Sequence, residues 1–105
     1  MLASFSVVPM ATGESVSQLV AESLKIVDAS GLDYQLGPMQ TIVEGNEALV
    51  METIMQCHRR LLELAPRVLT TITIDDRKGA TGRLRGKVAD VEKRLGKTLA
   101  RVAGE

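Results

Sequence analysis

Residues 33–45 read Asp33-Tyr34-Gln35-Leu36-Gly37-Pro38-Met39-Gln40-Thr41-Ile42-Val43-Glu44-Gly45. Asp33–Leu36 and Met39–Glu44 are short strand-like segments on either side of a Gly-Pro turn, and Gly45-Asn46 stops the second. This hairpin decides the fold through its flanks. Upstream, Leu2 to Pro9 sets Ala3, Phe5 and Val7 on one parity and Ser4 and Ser6 on the other, the period of a strand with one buried face. Between that strand and the hairpin, Val16, Leu19, Val20, Leu24 and Val27 recur at helical spacing, and the pattern closes near Gly31. Downstream, Met51, Ile54, Met55, Leu61, Leu62 and Ala65 mark a second helix over Glu47–Ala65, stopped by Pro66. Val68–Asp76 follows as a β-branched strand, with Val68, Thr70, Ile72 and Ile74 on one parity and Leu69, Thr71, Thr73 and Asp75 on the other.

The order is β-α-β-β-α-β. Right-handed crossovers fold it into a four-stranded antiparallel sheet with both helices on one face, an α+β, ferredoxin-like arrangement. Arg77–Gly82 is a loop by composition. It leads into a third amphipathic helix over residues 82–103, with Leu84, Val88, Val91, Leu95, Leu99 and Val102 along one seam. Gly86 and Gly96 each weaken that helix by about 1 kcal/mol relative to alanine, so packing must hold it. The whole of residues 1–105 reads as one domain.

At 105 residues and 45% hydrophobic content the chain has room for a single core. A core of that size supplies limited stability, so self-association into a homodimer or homotetramer is expected. Thirteen basic and thirteen acidic side chains give zero formal charge, which argues against a polyanion partner such as nucleic acid. The charge is unevenly divided: residues 1–76 hold four basic and ten acidic groups, residues 77–105 nine and three, so the basic tail should prefer an acidic neighbour, such as the acidic body of its own kind. Phe5 and Tyr34 are the only aromatics, leaving little for stacking on bases. A single cysteine fits a reducing, cytoplasmic setting. No apolar run approaches the roughly 20 residues of a spanning helix, so no membrane partner is expected.

Cys57 and His58 are adjacent on a helix and point about 100° apart, which suits a small core thiol and a partly buried imidazole better than a metal site or a thiolate nucleophile. The loop Arg77–Arg85 lacks the phosphate-loop pattern G-x-x-x-x-G-K-[ST] and reads as a connection, with anion binding as the lesser alternative. No cofactor is implied. Asp75 and Asp76 point to opposite faces of their strand and cannot form an acid/base pair. Asp75 shares parity with Thr71 and Thr73. With Ser4 and Ser6 these make a polar patch on the sheet, either an intersubunit surface or a shallow cleft for a small polar ring compound. Glu44, at a strand end, is placed to accept hydrogen bonds from an amino group or a cationic ring, or is a surface charge. Without a well-spaced nucleophile and base the chain reads as a binder and not an enzyme.

The run Gly37-Pro38-Met39-Gln40-Thr41-Ile42-Val43-Glu44-Gly45, with Val7-Val8-Pro9, Arg67-Val68 and Ile74-Asp75-Asp76-Arg77, resembles the thiamine-binding protein family, the YkoF-like group of small ferredoxin-like proteins, over residues 2 to 99. The resemblance implies a subunit that pairs its sheet with others in dimers and tetramers and binds thiamine or its hydroxymethylpyrimidine portion. By motif position it implies Thr41 and Glu44 in the pocket region, Tyr34 at its edge and Asp75 at the end of the adjacent strand. The residues expected to bind ligand are therefore Ser4, Ser6, Tyr34, Thr41, Glu44, Thr73 and Asp75. A regulatory sensor of another small metabolite and a purely structural homo-oligomer are the alternatives.

Overall fold

The computed structural model describes residues 1–13, 15–79 and 81–96. The elements run β1 (Leu2–Met10), α1 (Val16–Ala29), β2 (Asp33–Leu36), β3 (Thr41–Glu44), α2 (Glu47–Leu64), β4 (Arg67–Asp75) and α3 (Arg83–Leu95). The sheet has strand order β2-β3-β1-β4 with every neighbouring pair antiparallel. This is the ferredoxin-like α+β fold with an added C-terminal helix.

The register sorts the side chains into two faces. Ala3, Phe5 and Val7 of β1 and Val43 of β3 are buried, and they form one core with Leu19 and Val27 of α1 and Val50, Ile54, Cys57 and Leu61 of α2. Ser4 pairs with Thr73, Ser6 with Thr71 and Val8 with Leu69, so these residues stand together on the face opposite α1 and α2.

Local chemistry sets the ends. Asn46 accepts from the backbone N–H groups of Ala48 at 2.9 Å and Leu49 at 3.3 Å, capping α2. Ala65, before Pro66, is extended and ends it. The Gly37 N–H donates to the Gln40 carbonyl at 2.9 Å. That turn holds residues through Gln40, so β3 begins at Thr41 and not at Met39, which is 86% exposed.

The helical stripes differ from the apolar spacing. In α1, Ser23 is buried while Val16 is exposed; in α2, Thr53 and Cys57 are buried while Met55 and Leu62 are exposed. The cause is close helix packing. The Cys57 thiol donates to the Ser23 carbonyl at 3.4 Å, a contact that small side chains permit and methionine or leucine would block. Gly96, at φ 71°, caps α3 after Leu95; the expected continuation through Leu99 and Val102 to residue 103 lies outside the described residues.

Candidate functional site

β1 has nine residues and β3 only four. Their pairing runs from Leu2↔Glu44 to Phe5↔Thr41 and stops there. From Ser6 onward β1 keeps β4 on one side and, among the described residues, has no strand on the other. Into that gap the chain folds the turn Gly37–Gln40, and α1 closes it from the helix side. The result is a cavity of about 160 Å³, walled by Ser6–Pro9 of β1, by Leu36–Thr41, and by Val16, Val20, Ser23 and Leu24 of α1. Its volume lies below the ~300–1,000 Å³ that encloses a drug-sized ligand, so it suits one substituted ring. Strand backbone and the buried Thr41 supply polar groups, and Phe5, Val20 and Leu24 supply apolar ones.

On the other side of Val20, Leu24 and Leu36 runs a shallow groove that contains Tyr34, Asp28, Lys25 and Ser17. Tyr34 donates its hydroxyl to Asp28 Oδ1 at 2.8 Å, and this bond holds the phenol above its usual pKa. The bond anchors the ring to the last turn of α1. Asp28 was not among the expected residues. Its spacing of six from Tyr34 signals nothing by itself, because the contact needs the chain to reverse from α1 into β2.

The expected ligand residues do not converge. Ser6 and Thr41 line the cavity, and Tyr34 stands in the adjoining groove. Ser4 and Thr73 pair on the sheet face away from α1 and α2. Glu44 and Asp75 both pair with Leu2, one from each side, so β1 lies between their strands. They line a separate pocket of about 70 Å³ with Met1, Asp76, Arg77 and Arg83. From Leu2 to Pro9 is roughly 20 Å along an extended strand, farther than one small ligand spans.

Glu44 already has partners. Its carboxylate accepts the backbone N–H of Arg83 at 2.8 Å and of Leu84 at 3.2 Å, and Leu84 is buried. Gly82 at φ 65° starts the helix without a capping side chain of its own. The chain's own carboxylate thus occupies the N-terminus of α3, the place where the basic loop offered a site for an anion.

Cys57 is fully buried, and loss of solvent pushes its thiol from the ordinary 9.0 to about 11. It is a core residue, as its sequence context suggested. His58 Nδ1 shares a 2.6 Å hydrogen bond with the Thr70 hydroxyl, tying α2 to β4. Among the described residues no cluster of three or more His, Cys, Asp or Glu side chains gathers for a metal, and no helix is long and apolar enough to cross a membrane.

Comparisons with known proteins agree with this fold. A UPF0045 protein of Mycobacterium bovis is 39% identical over 95 residues, covering 90% of this chain and 93% of that protein. A UPF0045 protein of Bacillus subtilis is 35% identical over 100 residues, covering 90% and 96%. Among solved structures, a Thermotoga maritima protein provisionally assigned to thiamine biosynthesis or salvage matches with a TM-score of 0.74 and 25% identity, over 86% of this chain and 96% of that one. A Methanocaldococcus jannaschii protein of the same fold matches with a TM-score of 0.80 and 24% identity, over 88% and 95%. Residues 3–92, which include both walls of the cavity and the turn that closes it, match the profile of the thiamine-binding proteins, and the chain belongs to that family.

Proposed function

We propose that this chain binds thiamine, or a hydroxymethylpyrimidine-type precursor, reversibly and without turning it over, at or near the contact between copies of itself. The observation that carries this reading is the stretch of β1 from Ser6 to Pro9, which among the described residues has no strand partner on the cavity side and faces Gly37–Thr41 across a ring-sized space. An aminopyrimidine carries hydrogen-bond donors and acceptors along one edge. Strand backbone offers the complement, and apolar walls take the ring faces. Thr41 is buried beside this edge, and the flexible Met39 side chain is free to fold over the mouth.

The cationic thiazolium of thiamine would then lie over the adjoining groove. There the Tyr34 face and the Asp28 carboxylate favour positive charge. The open groove leaves much of such a ligand uncovered by one chain, which supports a site completed by a second copy. Ser4 and Thr73 on the sheet face, with Glu44 and Asp75 at its far end, then serve that assembly and the docking of α3.

Isothermal titration with thiamine, its mono- and diphosphates, and hydroxymethylpyrimidine tests the reading. Saturable heat from hydroxymethylpyrimidine and from thiamine, with both recovered chemically unchanged, is the expected result. Silence from all four compounds would favour a sensor of another metabolite or a structural oligomer, and conversion of the ligand would make the protein an enzyme.

A further inference from the structure

The buried residues of α1 are Leu19, Ser23 and Val27, a row spaced four apart. The middle of a buried row is an unusual place for a hydroxyl, since a polar group there must find hydrogen bonds to offset its loss of water. Packing calls only for a small side chain at this point, because the Ser23 carbonyl accepts the Cys57 thiol across the contact between α1 and α2. Alanine would meet that need with less volume and a higher helix propensity. Packing therefore does not account for the hydroxyl. Its proton is committed within α1, where Ser23 Oγ donates to the Val20 carbonyl at 3.0 Å. The lone pairs of Oγ remain, and Ser23 lines the cavity beside β1.

Thr41 is the other buried polar side chain of the cavity wall. The register sets it opposite Phe5, whose side chain lies in the core, so Thr41 faces the helix layer from the sheet while Ser23 faces the sheet from α1. Among the described residues no charged side chain lines this cavity. We infer that Ser23 is a specificity-determining residue of the cavity, selecting a ring that carries an exocyclic amino group over the same ring without one. The inference rests on the proposed binding of an aminopyrimidine. The strand backbone from Ser6 to Pro9 offers C=O and N–H groups along one edge, which take one N–H of the amino group and the ring nitrogen beside it. The amino group has a second N–H. Left buried without an acceptor, that N–H would cost affinity; Ser23 Oγ, its own proton already given to Val20, supplies the acceptor.

The test uses the full chain and two compounds, hydroxymethylpyrimidine and its analogue with hydrogen in place of the amino group. Calorimetry on the parent chain and on Ser23→Ala closes a cycle between the side chain and the ligand group it is assigned to. Ser23→Ala should weaken the amino compound about tenfold and leave the desamino analogue within about twofold, since the analogue never used the hydroxyl. Urea melts accompany the titrations, and Ser23→Ala should be at least as stable as the parent chain. Equal weakening of both compounds would mean that the substitution only distorts the cavity, and no weakening of either would mean that the hydroxyl does not meet the ligand; both overturn the inference while leaving the binding itself in place. A marked loss of stability in Ser23→Ala would overturn it too, by giving the hydroxyl to the fold. A parent chain that takes up neither compound would overturn the proposed function and this inference with it.

Discussion

Glu44 and Arg83 lie 39 residues apart in sequence, and the carboxylate of the first accepts the backbone N–H of the second at 2.8 Å. With the Leu84 N–H as its second donor, Glu44 is the cap that joins α3 to the end of β3. Glu44→Ala should weaken α3 by about 1 kcal/mol, and Glu44→Gln, which keeps one acceptor oxygen, by less. Hydrogen exchange is the readout. Amides of Arg83–Leu95 should lose protection while those of β1 and α2 keep theirs; loss that spreads into the sheet would show that Glu44 supports the core instead.

Gly37 is required by close approach. A Cβ there would lie 2.7 Å from the Gln40 carbonyl oxygen, which accepts the Gly37 N–H that closes the turn. Gly37→Ala should displace the turn and weaken hydroxymethylpyrimidine binding at least about tenfold, with a stability loss of about 1–2 kcal/mol, because the turn is at the surface. Calorimetry and urea melts measure the two effects separately. Undiminished binding would remove the turn from the site.

Tyr34 and Asp28 should separate the two halves of thiamine. Asp28→Asn and Tyr34→Leu are each expected to weaken thiamine severalfold, through lost charge or a lost aromatic face, and to leave hydroxymethylpyrimidine unaffected. Equal losses for both compounds in parallel titrations would contradict the assignment of the groove to the cationic ring.

The burial of Cys57 makes stability depend on alkaline pH. Its thiol ionises near 11 in the folded chain, against the ordinary 9.0. Below pH 9 both folded and unfolded states hold the proton and the effect is absent. Between about 9 and 11 the unfolded state releases it first, so stability falls by up to about 2–3 kcal/mol. The difference between the parent chain and Cys57→Ala in urea melts at pH 8 and pH 10.5 isolates this contribution. In the folded state the thiol should resist iodoacetamide at pH 8 and react on unfolding.

Much of the fold was legible because its signals are local. The alternation of Ser4 and Ser6 with Ala3, Phe5 and Val7, and of Thr71 and Thr73 with Ile72 and Ile74, assigned the faces that the register in fact has. The hairpin at Gly37-Pro38 fixed the order of elements. Spacing misjudged the buried stripe of α2, because hydrophobic character favours Met55 and Leu62 whereas the helix crossing selects the small Thr53 and Cys57. The site was harder to read. Its cavity exists because β3 stops pairing with β1 after Thr41, and the only trace of that in sequence is the mismatch between a short strand and a long one. The hold of Glu44 on α3 left no local trace, since its partner amides belong to a loop-helix junction some 40 residues away. The resemblance to the family pointed to a run whose first part, Gly37–Thr41, lines the cavity, while the split of the residue set between two ends of β1 needed three dimensions.

The most direct test of the account is amide chemical-shift mapping of the isotope-labelled protein during titration with hydroxymethylpyrimidine. Saturable shifts confined to Ser6–Val8, Gly37–Thr41 and the facing turns of α1 from Val16 to Leu24 are the expected result. Shifts gathered instead at Leu2, Glu44, Asp75 and Asp76, or none at all, would contradict it.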